Sequence, residues 1–471
     1  MVLSFYGAAQ TVTGSKHLLS LESGKRILLD CGMFQGMGEK VKDLNHNFGF
    51  EAESIDYVIL SHAHIDHSGL LPRLVKLGFG GNIYCTPPTR ELCELLLMDS
   101  AGLQSNENDA DIGKEALYDK EDVGRCLERF VTLAYNEAYP IDDEVELLFT
   151  DAGHILGSAC VNLRIREGED TLRLCFTGDV GRYENRILRA PQPLPQADVL
   201  ICESTYASKV HAKLENTEER LRDIVLNTCV EKGGKLFIPA FSIGRTQELV
   251  YSLNILAEEG RLPEDLLVFV DSPLSVYATD IMRSHPEYFN EAMLDYIRTD
   301  PDPFGFPQLH FITETEDSKL INAMEGPCVI ISASGMMEGG RIRHHLKKGL
   351  SDARNTILIT GYCEPSTLGG RLLKGAPKVS LFDQELEVKA EVVLMNEYSA
   401  HGDYSDIMRL LLSQNKEEIR HLFLVHGVKE NMLKFKEDLE AAGYSGIELP
   451  DFRLSYEIKG QAVAGTGRAK A

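Results

Sequence analysis

The chain has 471 residues, of which 43% are hydrophobic; this is enough for packed cores in two or three domains and excludes a disordered chain. Acidic residues outnumber basic ones by 72 to 48, and the net charge of −24 argues against a protein that coats a polyanion. No apolar run approaches the roughly 18 residues of a membrane span, and the start lacks the basic segment of an export signal. The ten cysteines form no C-x-x-C pair, so we predict buried thiols and a cytoplasmic protein.

The first part of the chain, residues 1–208, contains short apolar strands that end in small or polar residues. The strands are RILLDCG, IDYVILSH, VELLFTDAGH, LRLCFTGD and DVLICEST. Each of them places a titratable side chain directly after the strand. We therefore predict a β-rich α/β domain whose chemistry lies at its strand ends.

Residues 209–390 follow a different rhythm, in which a strand, a Gly/Ser-rich turn and an amphipathic helix recur. The pattern predicts a parallel, doubly wound sheet whose turns offer helix N-termini to phosphate. After residue 390 the first style returns in AEVVLMNEYSAHGD and HLFLVHGV. We therefore predict one domain formed by 1–208 and 391–471 and interrupted by the insertion 209–390.

Locally basic sequence is found in the insertion at GGRIRHHLKKG, residues 339–349. A nucleic-acid-binding protein with a strongly negative net charge needs such a region. A basic run of this kind equally fits a solvated helix face, and the sequence alone leaves both interpretations open.

The strongest chemical signal is Ser61-His-Ala-His-Ile-Asp-His-Ser-Gly, which follows the predicted strand DYVIL. Positions i and i+2 of an extended segment face the same side, so His62 and His64 can converge on one metal ion. Asp66 and His67, at the turn into a helix, then face a second ion. A buried cluster of ionisable groups is costly unless the groups are paired or bind metal, which favours a metal site.

Further ligands are available at three other strand ends, namely His154, Asp179 and His426. Each alone also fits a structural histidine or a turn aspartate. Together with the histidine-rich loop they complete an oxygen- and nitrogen-rich set suited to two zinc ions. We predict that the first zinc is held by His62, His64 and His154, the second by Asp66, His67 and His426, and that Asp179 bridges them.

The H-x-H-x-D-H motif with its downstream strand-end His and Asp resembles the metallo-β-lactamase superfamily. Glu203-Ser-Thr-Tyr, Ser399-Ala-His401 and Val425-His426-Gly look like the three added motifs of the β-CASP nucleases. The similarity extends to PAFSIGRTQEL, DSPL, SASGMMEGGR and GYCEPSTLGGRL, and thus to nearly the whole chain. It is greatest to the group that contains the cleavage and polyadenylation specificity factor endonuclease subunit and its bacterial relatives.

The resemblance implies an αββα metallo-β-lactamase sandwich with an inserted β-CASP domain, and a ribonuclease that cuts single-stranded RNA with a metal-bound hydroxide. Asp30 matches the family's first motif and would orient a ligand histidine or the metal water, although it also fits a turn-initiating aspartate. His401, held cationic by Glu203, would donate the proton to the leaving oxygen, or would clamp a phosphate instead. The phosphate contacts expected in the insertion are Arg245, Ser334, Gly335 and Arg371. The negative charge predicts modest RNA affinity that is raised by a homodimer or an RNA-processing partner.

Three alternatives remain open from the sequence. A thioesterase or lactonase of the same fold needs no second domain as large as this insertion. A DNA-directed β-CASP nuclease tends to carry valine where this chain has His426. A non-catalytic scaffold partner would have lost ligands that this chain retains.

Overall fold

The computed structural model describes residues 1–36, 40–110, 116–211, 216–459 and 461–462. The strands within these ranges are numbered in chain order. They are β1 Val2–Phe5, β2 His17–Ser20, β3 Arg26–Leu29, β4 Tyr57–Ile59, β5 Asn82–Cys85, β6 Phe130–Thr132, β7 Tyr139–Pro140, β8 Val145–Asp151, β9 Ala159–Glu167, β10 Asp170–Phe176, β11 Val199–Glu203, β12 Lys235–Pro239, β13 Val268–Asp271, β14 Leu309–Ile312, β15 Cys328–Ser332, β16 Thr356–Ile359, β17 Lys378–Leu381, β18 Gln384–Glu387, β19 Glu391–Leu394, β20 His421–Val425, β21 Ile447–Glu448, β22 Ser455–Glu457 and β23 Gln461–Ala462.

The α-helices of the described ranges are numbered in the same way. They are α1 Lys40–His46, α2 Ile65–Ser68, α3 Leu71–Lys76, α4 Pro87–Ala110, α5 Lys120–Leu127, α6 Thr217–Val225, α7 Arg245–Glu258, α8 Pro273–Ser284, α9 Glu291–Tyr296, α10 Thr315–Ala323, α11 Ile342–Gly349, α12 Leu368–Leu373, α13 Tyr404–Leu411 and α14 Lys429–Ala441. None of the helices in the described part of the chain is long and apolar enough to cross a membrane.

The chain divides into two compact units. Unit 1 consists of Met1–Tyr183, Ala190–Val210 and His401–Ala471, and unit 2 of Glu184–Arg189 and His211–Ala400. The sequence-based boundary at residue 390 falls earlier than the structural one, because β19 pairs in parallel with β16 and completes the sheet of unit 2.

Unit 1 contains two sheets. The first has the order β22-β1-β2-β3-β4-β5-β6, and the second has the order β21-β20-β11-β10-β9-β8-β7 with β23 beside β10. The side chains that fill the space between the sheets are apolar and come from both, as in Phe5, Ile59, Phe149, Phe176 and Phe423. Burying apolar area between two sheets is the main source of stability for such a layered fold.

Helices cover the outer faces of both sheets. On the second sheet, α13 and α14 bury residues such as Leu410 and Phe435 against Leu200 and Leu424. On the first sheet, α4 contacts β6 and α5. The strand β11 is buried along its whole length, as expected of a strand covered on both faces. The result is the predicted helix–sheet–sheet–helix layering of unit 1.

Unit 2 contains a six-stranded sheet in which every pair of neighbouring strands is parallel, with the order β14-β13-β15-β12-β16-β19. The crossover helices that follow β12, β13, β15 and β16 are α7, α8, α11 and α12. The predicted parallel sheet of strand–turn–helix units is therefore confirmed. All ten cysteines are free and buried, as predicted.

Candidate metal centre

The site residues of unit 1 follow strands that run in the same direction. In the second sheet, β10, β11 and β20 are parallel. The strand β8 shares this direction because β9 is antiparallel to both β8 and β10. In the first sheet, β3 and β4 are parallel. Side chains that follow these strands therefore gather at their carboxyl ends.

Four donor atoms form the first group. Nδ1 of His64 lies 3.1 Å from Nε2 of His62 and 3.2 Å from Nε2 of His154. Asp179 Oδ2 is 3.6 Å from both of these Nε2 atoms. All four side chains can reach one ion.

The second group lies on the other side of Asp179. His426 Nε2 is 3.3 Å from His67 Nε2 and 3.3 Å from Asp66 Oδ2. The second carboxylate oxygen of Asp179, Oδ1, is 3.3 Å from His67 Nε2. Asp179 therefore presents one oxygen to each group, as a bridging carboxylate requires.

These donor sets fit a divalent metal ion. Tetrahedral zinc with bonds of 2.0–2.1 Å brings neighbouring ligand atoms about 3.4 Å apart, and the separations here are 3.1–3.6 Å. Burial lowers the pKa of His64 to about 4 and that of His62 well below its usual value, which keeps both rings neutral. Two neutral rings can share one N–H···N hydrogen bond, but the four donor atoms that converge here, three ring nitrogens and a carboxylate oxygen, are a set suited to a metal ion.

The ring of His67 is oriented by a buried carboxylate. Asp30 Oδ2 accepts from His67 Nδ1 at 2.6 Å, while Oδ1 accepts from the backbone N–H of Ser61 at 2.8 Å. Hydroxyls of Ser15 and Ser61 also donate to Oδ2. Asp30 itself lies in the left-handed region, with φ +58°. Burial opposes the charged ring of His67, but the carboxylates of Asp179 and Asp30 raise its pKa well above the usual value. Because Asp30 holds the proton on Nδ1, Nε2 is the nitrogen that would lose its proton to bind a metal ion.

The ring of His426 is positioned by Thr205, which contacts its Nδ1. The threonine Oγ1 lies 2.9 Å from His426 Nδ1 and also donates to the His426 carbonyl at 2.9 Å. His426 has φ +51°, again in the left-handed region. Sequence reasoning did not assign Ser15, Ser61 or Thr205, although Ser61 and Thr205 lie inside the motifs that it singled out.

The predicted pair of Glu203 and His401 is brought together beside Asp179. Glu203 Oε1 accepts from His401 Nδ1 at 3.2 Å and from the backbone N–H of Val180 at 2.7 Å. His401 Nε2 points towards Asp179 Oδ2, 3.9 Å away. Burial opposes the charged ring, but the carboxylates of Glu203 and Asp179 outweigh it and raise the pKa of His401 to about 9.

The four predicted phosphate contacts all lie in unit 2. Arg245 is only 6% exposed and its Nη1 donates to the carbonyl of Thr360, so it joins two turns of the sheet edge. Ser334 closes its own loop through hydrogen bonds with Gly339. Gly335 packs against an aromatic ring, and Arg371 is exposed on α12.

A layered α/β unit whose strand ends converge on histidine and aspartate donors is the mark of a metal-dependent hydrolase. Family models agree along the chain: residues 18–218 match the metallo-β-lactamase superfamily, residues 246–372 the β-CASP domain, and residues 385–450 the Zn-dependent metallo-hydrolase RNA specificity domain.

Full-length relatives show the same relationship. Ribonuclease TTHA0252 of Thermus thermophilus is 35% identical over 93% of this chain and 96% of its own. An RNase J-like protein of Methanocaldococcus jannaschii is 33% identical, covering 96% and 97%, and the transcription termination factor FttA of Methanosarcina mazei is 34% identical, covering 94% and 69%. The chain therefore belongs to the β-CASP family of the metallo-β-lactamase superfamily, and the resemblance predicted from its motifs is confirmed.

Proposed function

We propose that this protein is a zinc-dependent ribonuclease that hydrolyses RNA phosphodiester bonds. The observation that carries the proposal is the double donor group around Asp179, with the His401–Glu203 pair directly beside it. The names of two relatives, a ribonuclease and an RNase J-like protein, support RNA as the substrate. So does the RNA specificity domain model matched at residues 385–450.

Seven side chains would hold two zinc ions. His62, His64 and His154 would bind one, Asp66, His67 and His426 the other, and Asp179 would bridge them. When bound, such a pair supplies a hydroxide nucleophile at neutral pH and stabilises negative charge on the scissile phosphate.

The remaining roles fall to residues of this chain around that group. Asp30 and Thr205 fix the rings of His67 and His426 so that each presents a lone pair. Because the carboxylates of Glu203 and Asp179 raise the pKa of His401 to about 9, its ring is cationic at neutral pH and both nitrogens carry protons. Glu203 holds the proton on Nδ1, and the proton on Nε2 faces the centre. We propose that this proton goes to the departing ribose oxygen, a contribution of about 10²–10⁴ in rate for a general acid.

The proposal also covers the compartment in which the protein works and the way it gains affinity for RNA. Ten buried, free cysteines favour a reducing compartment such as the cytoplasm. A net charge of −24 disfavours strong phosphate attraction. We propose that dimerisation or an RNA-processing partner protein raises the affinity for RNA.

The test is an incubation of zinc-loaded protein with single-stranded RNA and DNA of one sequence, each labelled at either end. The Asp179→Ala variant removes the bridging carboxylate, and Asp56→Asn, at an exposed position away from the cluster, is the matched control. We expect RNA cleavage that is lost in Asp179→Ala and kept in Asp56→Asn, with the label pattern separating internal from end-directed cutting. Zinc-loaded protein that leaves RNA intact but hydrolyses thioesters or lactones would refute the proposal in favour of a small-molecule hydrolase, and cleavage restricted to DNA would identify a DNA-directed nuclease.

A further inference from the structure

Exposed aromatic side chains are unevenly placed in this protein. Among the described residues, five aromatic side chains rank as exposed: Tyr139, Phe241, Tyr277, Tyr362 and Phe452. Single exposed apolar residues are common and need no explanation. Phe241 and Tyr362, however, occupy equivalent positions, each two or three residues beyond the end of a parallel strand of unit 2.

The two strands concerned, β12 and β16, are direct neighbours. Leu236 pairs with Thr356 and Phe237 with Ile357. If this register is continued, position 241 falls opposite 361, next to Tyr362. Phe241 and Tyr362 therefore share one edge of the sheet, where they are 41% and 38% exposed.

A third turn, after β15, joins these two. A Cβ at Gly335 would lie 2.9 Å from the Phe241 ring, so the ring lies directly on the glycine backbone. The Cys363 thiol donates to the Gly335 carbonyl at 3.7 Å, which places the neighbour of Tyr362 against the same residue. Arg245 ties the turns together through the Thr360 carbonyl.

The position of Phe241 is fixed by its backbone. Its carbonyl accepts from the backbone N–H of Thr246 at 3.3 Å and from the Thr246 hydroxyl at 2.8 Å. The Phe241 ring lies against Gly335 and is 41% exposed. An exposed apolar ring on an anchored backbone loses less conformational freedom when a planar partner stacks on it than one on a flexible loop would, and is suited to binding.

We propose that Phe241 and Tyr362 form a stacking platform for the bases of single-stranded RNA at the carboxyl edge of the unit 2 sheet. The proposal rests on the proposed ribonuclease function and adds how the strand is gripped. Bases have apolar faces that stack on aromatic rings whatever their sequence. In a chain of net charge −24, contacts to bases supply affinity that attraction to phosphates cannot.

The chain contains no tryptophan, so a single introduced tryptophan reports on its own surroundings. We would place tryptophan at Phe241 or at Tyr362 in the uncleaving Asp179→Ala background and titrate with a single-stranded RNA oligonucleotide. The matched control is Tyr139→Trp, which is equally exposed at 38% but lies in unit 1. We expect fluorescence quenching at positions 241 and 362, none at 139, and none with duplex RNA, in which the base faces are covered.

Dissociation constants complete the test. Replacing either ring by alanine should weaken RNA binding roughly 5- to 150-fold, the range typical of one lost base–aromatic stack. Phe241→Leu keeps an apolar side chain over Gly335 and should weaken binding nearly as much, while Phe241→Tyr should restore it. Unfolding midpoints of all variants identify any that lose their fold. The comparison of RNA affinity between Phe241→Leu and Phe241→Tyr then tests whether the aromatic ring itself binds RNA.

The outcomes separate the two proposals. Unquenched tryptophan at 241 and 362 together with unchanged affinity of the leucine variant would overturn the platform, even if wild-type protein cleaves RNA. Quenching without cleavage by the zinc-loaded wild type would leave the platform standing and overturn the ribonuclease.

Discussion

Replacing Asp30 by asparagine tests how the second metal group is built. The carboxylate accepts four hydrogen bonds in the folded protein: one from His67, two from Ser61 and one from Ser15. Asparagine keeps one oxygen, which the backbone N–H of Ser61 retains, and turns an NH₂ towards His67. That NH₂ needs an acceptor, so the His67 proton must move from Nδ1 to Nε2, where it blocks the lone pair required for zinc.

The expected effect follows from this tautomer change. Loss of a group that orients a metal-binding histidine typically costs 10- to 100-fold in metal affinity, or about 1.4 to 2.8 kcal/mol. The ion proposed at Asp66, His67 and His426 should be weakened most, since Asp30 contacts His67 directly and reaches His62 of the other group only through the Ser61 hydroxyl. Zinc should therefore bind Asp30→Asn in one tight and one weak step.

The assay is a competition between the protein and a chromogenic zinc chelator, with zinc content measured after dialysis. Asp56→Asn is the matched control, because Asp56 also accepts a backbone N–H, that of Arg26, but lies at an exposed position. Two zinc ions bound by Asp30→Asn with wild-type affinity would show that Asp30 does not set the His67 tautomer. Equal weakening of both ions would point to general unfolding, which circular dichroism would detect.

Three further predictions concern other parts of the molecule. His401→Ala should lose roughly 10²–10⁴ in turnover while keeping its zinc content; full turnover would exclude the proton donor role. Gly335→Ala should push the Phe241 ring aside, because the new Cβ would lie 2.9 Å from it, and should weaken RNA binding as much as loss of the ring does; unchanged binding would contradict this. Burial disfavours the charged form of Asp271, but the hydrogen bonds to its carboxylate outweigh burial and lower its pKa below the usual 3.8. The ionised carboxylate therefore stabilises the fold above pH 3.8, and this stabilisation is lost as the pH falls towards the pKa of the folded state. Denaturant titrations should show less loss of stability on acidification between pH 5 and 3 in Asp271→Asn than in wild type; identical pH profiles would assign the stabilisation elsewhere.

The convergence of the candidate metal ligands was predictable from sequence because its signals are local. The i, i+2 spacing of His62 and His64 and the positions of His154, Asp179 and His426 after apolar strands depend only on strand geometry. Parallel strands then bring their carboxyl ends together without further information. The structure brings together the side chains named for the two groups, and their role as metal ligands stays a prediction.

Contacts between distant segments were not predictable in this way. In the sequence, an arginine after a glycine turn fits a phosphate contact as well as a buried structural arginine. The structure shows that Arg245 donates to the carbonyl of Thr360, 115 residues further along the chain. The strand Glu391–Leu394 resembles the strands of the first predicted domain in composition, yet it pairs with β16 and belongs to unit 2. Composition sets the type of an element, while its partner depends on the whole fold.

The left-handed backbone at Asp30 and His426 lowers the stability of the fold at two positions whose side chains the proposed metal site needs. A side chain other than glycine held at such a φ costs about 1 kcal/mol or more, and glycine at either position would relieve it. The same exchange would remove a proposed metal ligand, His426, or the carboxylate that orients one, Asp30. Selection for thermal stability alone should therefore yield inactive protein when it changes these positions. Asp383, at the tip of the β17–β18 hairpin with φ +59°, bears the same strain away from the metal centre. A stabilising glycine substitution should therefore be made at Asp383 in the hairpin and avoided at Asp30 and His426.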